Sequence, residues 1–179
     1  MIRLIALYGT LAGLIVAIPM VWMMMILTPQ TTPDGGAVYG YLTMIVALTA
    51  VFLGIKQYRD KVQGGVIKFV PALLVGLGIS AVASVIYVVA WELSLALSGF
   101  DFAASYAKSM VEAARAAGAS QAELQKAIAD AESFARMYKN PLYRLPITFI
   151  EMFPVGVLVS LISAALLRNS RLLPARARS

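Results

Sequence analysis

Four apolar runs, each about as long as a bilayer is thick, constrain this chain more than anything else in it. They are Leu4 to Leu27, Ala37 to Tyr58, Val66 to about Leu97, and the stretch from Asn140 to Arg168. A helix rises about 1.5 Å per residue, so about 20 apolar residues cross a hydrocarbon core of roughly 30 Å. Composition agrees, because 60% of the 179 residues are hydrophobic and only 13% are charged. A soluble domain averages nearer half and a quarter. The reading is an all-α integral membrane protein with four transmembrane helices.

The first run is longer than the apolar core of a signal peptide and shows no small-residue cleavage site, so it is expected to stay as a helix. The Pro- and Gly-containing segment Thr28 to Gly36 joins it to the second run. A basic loop, Lys56 to Gly65, leads into the third, which exceeds the hydrocarbon thickness and should project or tilt beyond Glu92. Residues 100–139 differ in character, being Ala-rich with balanced charge. Phe102, Tyr106, Met110 and Ala113 form one helical stripe, and Leu124, Ile128, Ala131, Ala135 and Tyr138 form another. Gly118 interrupts them, and Ser120 with Glu123 has the spacing of a capping box that starts a new helix. This predicts an amphipathic helical hairpin between the third and fourth transmembrane helices. The expected organisation is 1–99 for helices one to three, 100–139 for the hairpin, 140–168 for the fourth helix, and 169–179 for a basic tail, disordered at its end.

Orientation follows from the basic residues. With the N-terminus inside, one side collects Arg3, Lys56, Arg59, Lys61, Lys68, Arg168, Arg171, Arg176 and Arg178 against Asp60 alone. On the other side, six Lys or Arg are matched by Asp34, Asp101, Glu112, Glu123, Asp130 and Glu132. The positive-inside rule then puts both termini in the cytoplasm and the hairpin outside. Trp22, Tyr39, Tyr41, Trp91 and Tyr143 fall near the outer interface, where aromatic rings are enriched.

Three blocks carry a resemblance: Tyr8 to Leu14 (YGTLAGL), Gly54 to Phe69 (GIKQYRDKVQGGVIKF), and the closing NPLYR…EMFPVGVLVSLISAALLR. With them the sequence resembles the bacterial membrane proteins grouped as domain-of-unknown-function family 4199, over nearly its whole length. The resemblance implies a four-helix inner-membrane protein and carries no catalytic residues with it.

Glu151 is an acid inside the fourth apolar run, and a charge in hydrocarbon costs several kcal/mol unless paired, neutralised or watered. Counting along the helices places Glu92 and Glu151 at similar depth near the outer boundary. Arg144, Thr148 and Glu151 share one helical face, so Arg144 is expected to lean toward Glu151. Pro154 frees the carbonyl of Ile150, and such a proline commonly kinks a helix. The polar cluster Glu92, Arg144, Thr148 and Glu151 reads first as a latch between helices, and secondly as a proton or cation site.

Small residues recur at four-residue spacing: Gly9 and Gly13 in the first helix, Gly76, Ser80 and Ser84 in the third, Gly156 and Ser160 in the fourth. Such faces let helices approach closely, within one bundle or between chains. Lys56, Arg59, Lys61, Arg168 and Arg171 are expected to set topology and to touch anionic lipid headgroups.

The chain has no Cys and no His, which removes thiolate nucleophiles, His acid–base chemistry and zinc sites of the usual kind. The methionines at 20, 23, 24 and 25 lack the Cys or His company of a copper site and are read as packing. No phosphate loop of recognised spacing occurs, and the basic charge is read without nucleic acid. No cofactor and no metal is expected. The leading expectation is a non-enzymatic accessory or scaffold subunit, with membrane lipids and a membrane-protein partner or further copies of itself as neighbours. The alternative is a small oligomeric transporter or proton-coupled carrier using Glu92 and Glu151.

Overall fold

The computed structural model describes residues 1–26 and 36–174, and every regular element among them is an α-helix. In chain order these are α1 (Ile2–Ile26), α2 (Gly36–Lys61), α3 (Phe69–Ser98), α4 (Phe102–Ala116), α5 (Gln121–Tyr138) and α6 (Pro141–Leu167). The connection from Thr28 to Gly35, with Asp34 in it, lies outside the described residues, as do Arg176, Arg178 and the Tyr39 side chain. Four helices, α1, α2, α3 and α6, hold segments long and apolar enough to cross a membrane. α3 continues past Glu92 to Ser98, and α6 runs unbroken through Pro146 and Pro154.

α3 is the centre of the bundle, packed against α1, α2 and α6, while α2 also meets α1 and α6. The glycine contacts give the directions. Gly9 of α1 faces Val82, and Gly13 faces Ile86, so α1 and α3 ascend together. Gly76 of α3 faces Ser160, and Gly156 of α6 faces Ser80, so a step of four down one helix is a step of four up the other. These two helices are antiparallel. The beginning of α1, the end of α2, the beginning of α3 and the segment after α6 therefore share one end of the bundle, here called the near end.

The α3–α6 contact shows why small residues sit at its centre. A Cβ added at Gly156 would lie 2.6 Å from the Ser80 Cβ, and one added at Gly76 would lie 2.8 Å from the Ser160 Cβ. Real carbon pairs stand about 3.5–4.0 Å apart, so only glycine admits this approach. The serines opposite are fully buried, and each hydroxyl has a partner. Ser80 and Ser160 meet at 3.2 Å, Ser84 donates to the Ser80 carbonyl at 2.8 Å, and Ser160 donates to the Gly156 carbonyl at 2.7 Å. Bonding within the helix lets a hydroxyl enter an apolar seam without stranding a donor.

α4 and α5 pack on each other at the far end. Asp101 caps α4 through the Ala104 amide at 3.0 Å, and Ser120 with Glu123 forms a complete capping box for α5. Between them Gly118 takes φ +72°, a left-handed conformation that costs glycine nothing and other residues about 1 kcal/mol or more. Tyr106 packs on Phe134 and Phe102 on Tyr138, with ring centroids 5.0 and 5.3 Å apart. Phe102 and Tyr106 of the first stripe and Tyr138 of the second thus meet in the α4–α5 contact together with Phe134, which belongs to neither stripe, while Ala113 is exposed. Trp91 of α3 meets Phe102 edge-on at 5.0 Å and ties the pair to the bundle.

Candidate functional site

The polar groups concentrate at the two ends of the bundle. At the far end, α3 brings Glu92 to the first turn of α6, where Arg144 stands one turn after the Asn140 cap and Pro141. The guanidinium grips the carboxylate with two donors, Nε to Oε1 at 2.6 Å and Nη2 to Oε2 at 2.5 Å. Its Nη1 donates to the Tyr138 carbonyl at 3.2 Å, and its carbon lies 5.7 Å from the Tyr138 ring centre. A two-donor Arg–carboxylate pair fixes orientation as well as distance. One side chain therefore joins α3, α5 and α6.

The expected lean of Arg144 toward Glu151 is corrected by this geometry. Facing positions on one helix make Glu151 the nearest acid in sequence, but Glu92 arrives from a neighbouring helix and takes the guanidinium. Glu151 instead accepts from the Tyr87 hydroxyl of α3 at 3.1 Å, and it is exposed on the flank of the bundle. Thr148 is buried and donates to the Arg144 carbonyl at 3.1 Å. The four residues fall into two α3–α6 pairings, Glu92 with Arg144 and Tyr87 with Glu151, with Thr148 turned back onto its own helix.

A search for charged groups misses the aromatic partners. Tyr138, 5% exposed, accepts from the Trp91 indole at 2.8 Å, and burial pushes its phenol above the usual tyrosine range. The signal available in the sequence is Tyr87 and Trp91, four apart on α3 and leading into Glu92.

The near end holds a second cluster. Arg59, expected at the lipid headgroups, is fully buried, and its contacts overturn that expectation. Its Nε donates to Asp60 at 2.7 Å, while Nη1 and Nη2 donate to the carbonyls of Leu172 at 3.0 Å and Leu173 at 2.5 Å. The segment after α6 folds across the end of α2 and shields the guanidinium from outside. Leu173 accepts a left-handed φ of 49° in doing so. Lys56 is half-buried and bridges to Asp60 at 2.6 Å. Lys61, Arg168 and Arg171 are exposed. Tyr8 of α1 donates to Gln57 of α2, adding the first helix to the same cluster.

A cavity of about 230 Å³ opens beside the far-end latch. Leu95, Phe100, Phe102 and Tyr138 line it together with three charged residues, Asp101, Lys139 and Arg144. Neither Glu92 nor Glu151 belongs to its lining. Among the described residues no three acidic side chains gather as a metal site would require.

No curated protein and no solved structure matches this chain. A family does, from the second turn of α1 to two residues past α6. Over residues 7–169 the sequence matches DUF4199, described as a protein of unknown function, and the chain belongs to that family.

Proposed function

We propose that this chain is a multi-pass protein of a bacterial inner membrane, a non-enzymatic accessory or scaffold subunit that presents a helical hairpin, α4 with α5, on the outer side. Arg3, Lys61, Lys68, Arg168 and Arg171 belong to the near end, and the positive-inside rule assigns that end to the cytoplasm. α4 and α5 then stand outside.

The observation that carries the reading is the use made of the charged groups. Both Glu92 oxygens are bound by Arg144, and that guanidinium also holds the last residue of α5. The Glu92 carboxylate and three of the five Arg144 donors thus go to joining α5 to α3 and α6. The outward face of α4 and α5 is what remains to meet a partner, with Lys108–Glu112 and Glu132–Arg136 as exposed pairs.

Crosslinking in native membranes followed by mass spectrometry tests this. The expected result is a reproducible neighbour crosslinked through Lys108 or Lys126. A lone protomer, both by crosslinking and after purification in mild detergent, would overturn it. A proton or solute flux abolished by Glu151→Gln in an intact fold would favour the carrier instead.

A further inference from the structure

The far-end cavity has a chemistry that the latch does not use. Arg144 has five N–H donors and its bonds to Glu92 and Tyr138 occupy three, which leaves one each on Nη1 and Nη2. Among the described residues Lys139, also in the lining, has no ion-pair partner. Asp101 uses one oxygen for the α4 cap. The Arg144 charge is already answered by Glu92, so the space walled by Phe100, Phe102 and Tyr138 is lined by one open cation, Lys139, one anion, Asp101, and the guanidinium that keeps two donors.

Its depth selects the kind of ligand. From Lys68 to Leu95 the chain climbs about 40 Å as helix, more than the roughly 30 Å of a hydrocarbon core. Given that the four long helices span a bilayer, Leu95 and the cavity lie at headgroup level. The volume of about 230 Å³ falls below the roughly 300 Å³ at which pockets for whole drug-sized molecules begin. It suits a headgroup whose chains stay outside.

We infer that the cavity seats a phosphoethanolamine headgroup, the phosphate between Lys139 and the remaining Arg144 donors and the ammonium toward Asp101 and the aromatic rings. Charge complementarity decides for the zwitterion. With Arg144 paired to Glu92, a phosphate alone would answer Lys139 and leave the Asp101 carboxylate facing added negative charge. An ammonium answers that carboxylate, and aromatic faces attract it further. The shared chemistry could come from a phosphatidylethanolamine in the bilayer or from free phosphoethanolamine, and the lipid is the source the depth favours.

The test is native mass spectrometry of the full chain in detergent, titrated with dihexanoyl-phosphatidylethanolamine, dihexanoyl-phosphatidylglycerol or phosphoethanolamine. Retention of the ethanolamine lipid is expected about tenfold more tightly than the glycerol lipid, the size of one charge-assisted hydrogen bond. Lys139→Ala should weaken both lipids by a similar factor. Asp101→Asn, which keeps a good helix cap, should erase the preference between them. Equal retention of the two lipids by the unaltered chain, or ethanolamine-lipid binding unchanged in both variants, would overturn the assignment. Free phosphoethanolamine binding as tightly as the lipid would overturn the bilayer as its source. None of these outcomes depends on whether a protein partner is found.

Discussion

Replacing Gly156 by alanine puts the packing logic of the bundle to a quantitative trial. The new methyl would stand 2.6 Å from the Ser80 Cβ and 2.7 Å from its hydroxyl oxygen. Carbon contacts relax at about 3.5 Å, so α6 must withdraw from α3 by nearly an ångström, or Ser80 must leave its place. Overpacking of this kind costs about 1–3 kcal/mol, against which the better helix propensity of alanine returns at most about 1 kcal/mol. Ser80→Gly alone loses the 3.2 Å hydroxyl contact with Ser160. Interhelical hydrogen bonds in membranes average about 0.6 kcal/mol, so that variant should be mild.

The double variant is the informative one. With Ser80 reduced to glycine, the methyl introduced at position 156 fills the space vacated, and the loss should return to roughly that of Ser80→Gly. A coupling of about 1–2 kcal/mol follows, well above the scatter expected of independent sites. Reversible unfolding in mixed micelles, titrated with dodecyl sulfate and followed by tryptophan fluorescence, measures it. Gly40→Ala serves as the control, because nothing lies within 4 Å of a Cβ added there. Strict additivity of the two single variants would refute the argument, since it would mean that Gly156 and Ser80 do not share the contact.

Two further outcomes follow from the near end of the bundle and from the cap of α5. Arg59→Met should cost about 3 kcal/mol, as when one partner of a buried charged cluster is removed. Proteolysis should then cut within residues 169–174 sooner than in the unaltered chain, and Arg59→Lys should not restore protection, because an ammonium cannot reproduce the fork on two successive carbonyls. Equal cleavage in all three proteins would dismiss the strap. For Glu123, the Ser120 hydroxyl and then the Ser120 amide hold the carboxyl below its ordinary value of 4.5. A depressed folded-state pKa means that the cap's support for α5 is whole above the ordinary value and drains away as pH falls through the lower one. Carboxyl NMR across that window should find the Glu123 midpoint below 4.5 and shift it upward in Ser120→Ala; a midpoint at the ordinary value would contradict the capping geometry.

The helices themselves are legible in the sequence, because apolar length and the Gly118–Ser120–Glu123 punctuation are local signals. So are the small-residue positions, although not their partners. Gly9 and Gly13 receive Val82 and Ile86, branched side chains that no small-residue pattern announces, whereas Gly76 and Gly156 receive serines. The misreadings share one physical cause. Reasoning along single helices matches Arg144 to Glu151 and Arg59 to lipid, whereas both guanidiniums find partners across the bundle. Sequence spacing tells which residues share a face. It does not tell which helix, or which later segment, will cover that face.

The two cross-bundle guanidiniums also impose an order on assembly. Glu92 is synthesised 52 residues ahead of Arg144, and Arg59 is 113 residues ahead of the Leu172 carbonyl it holds. While the ribosome is still making α4 and α5, α1 to α3 must wait in the bilayer with an unanswered acid at one end and an uncovered arginine at the other. Insertion of α6 settles both, delivering Arg144 at the far end and the two leucine carbonyls at the near end.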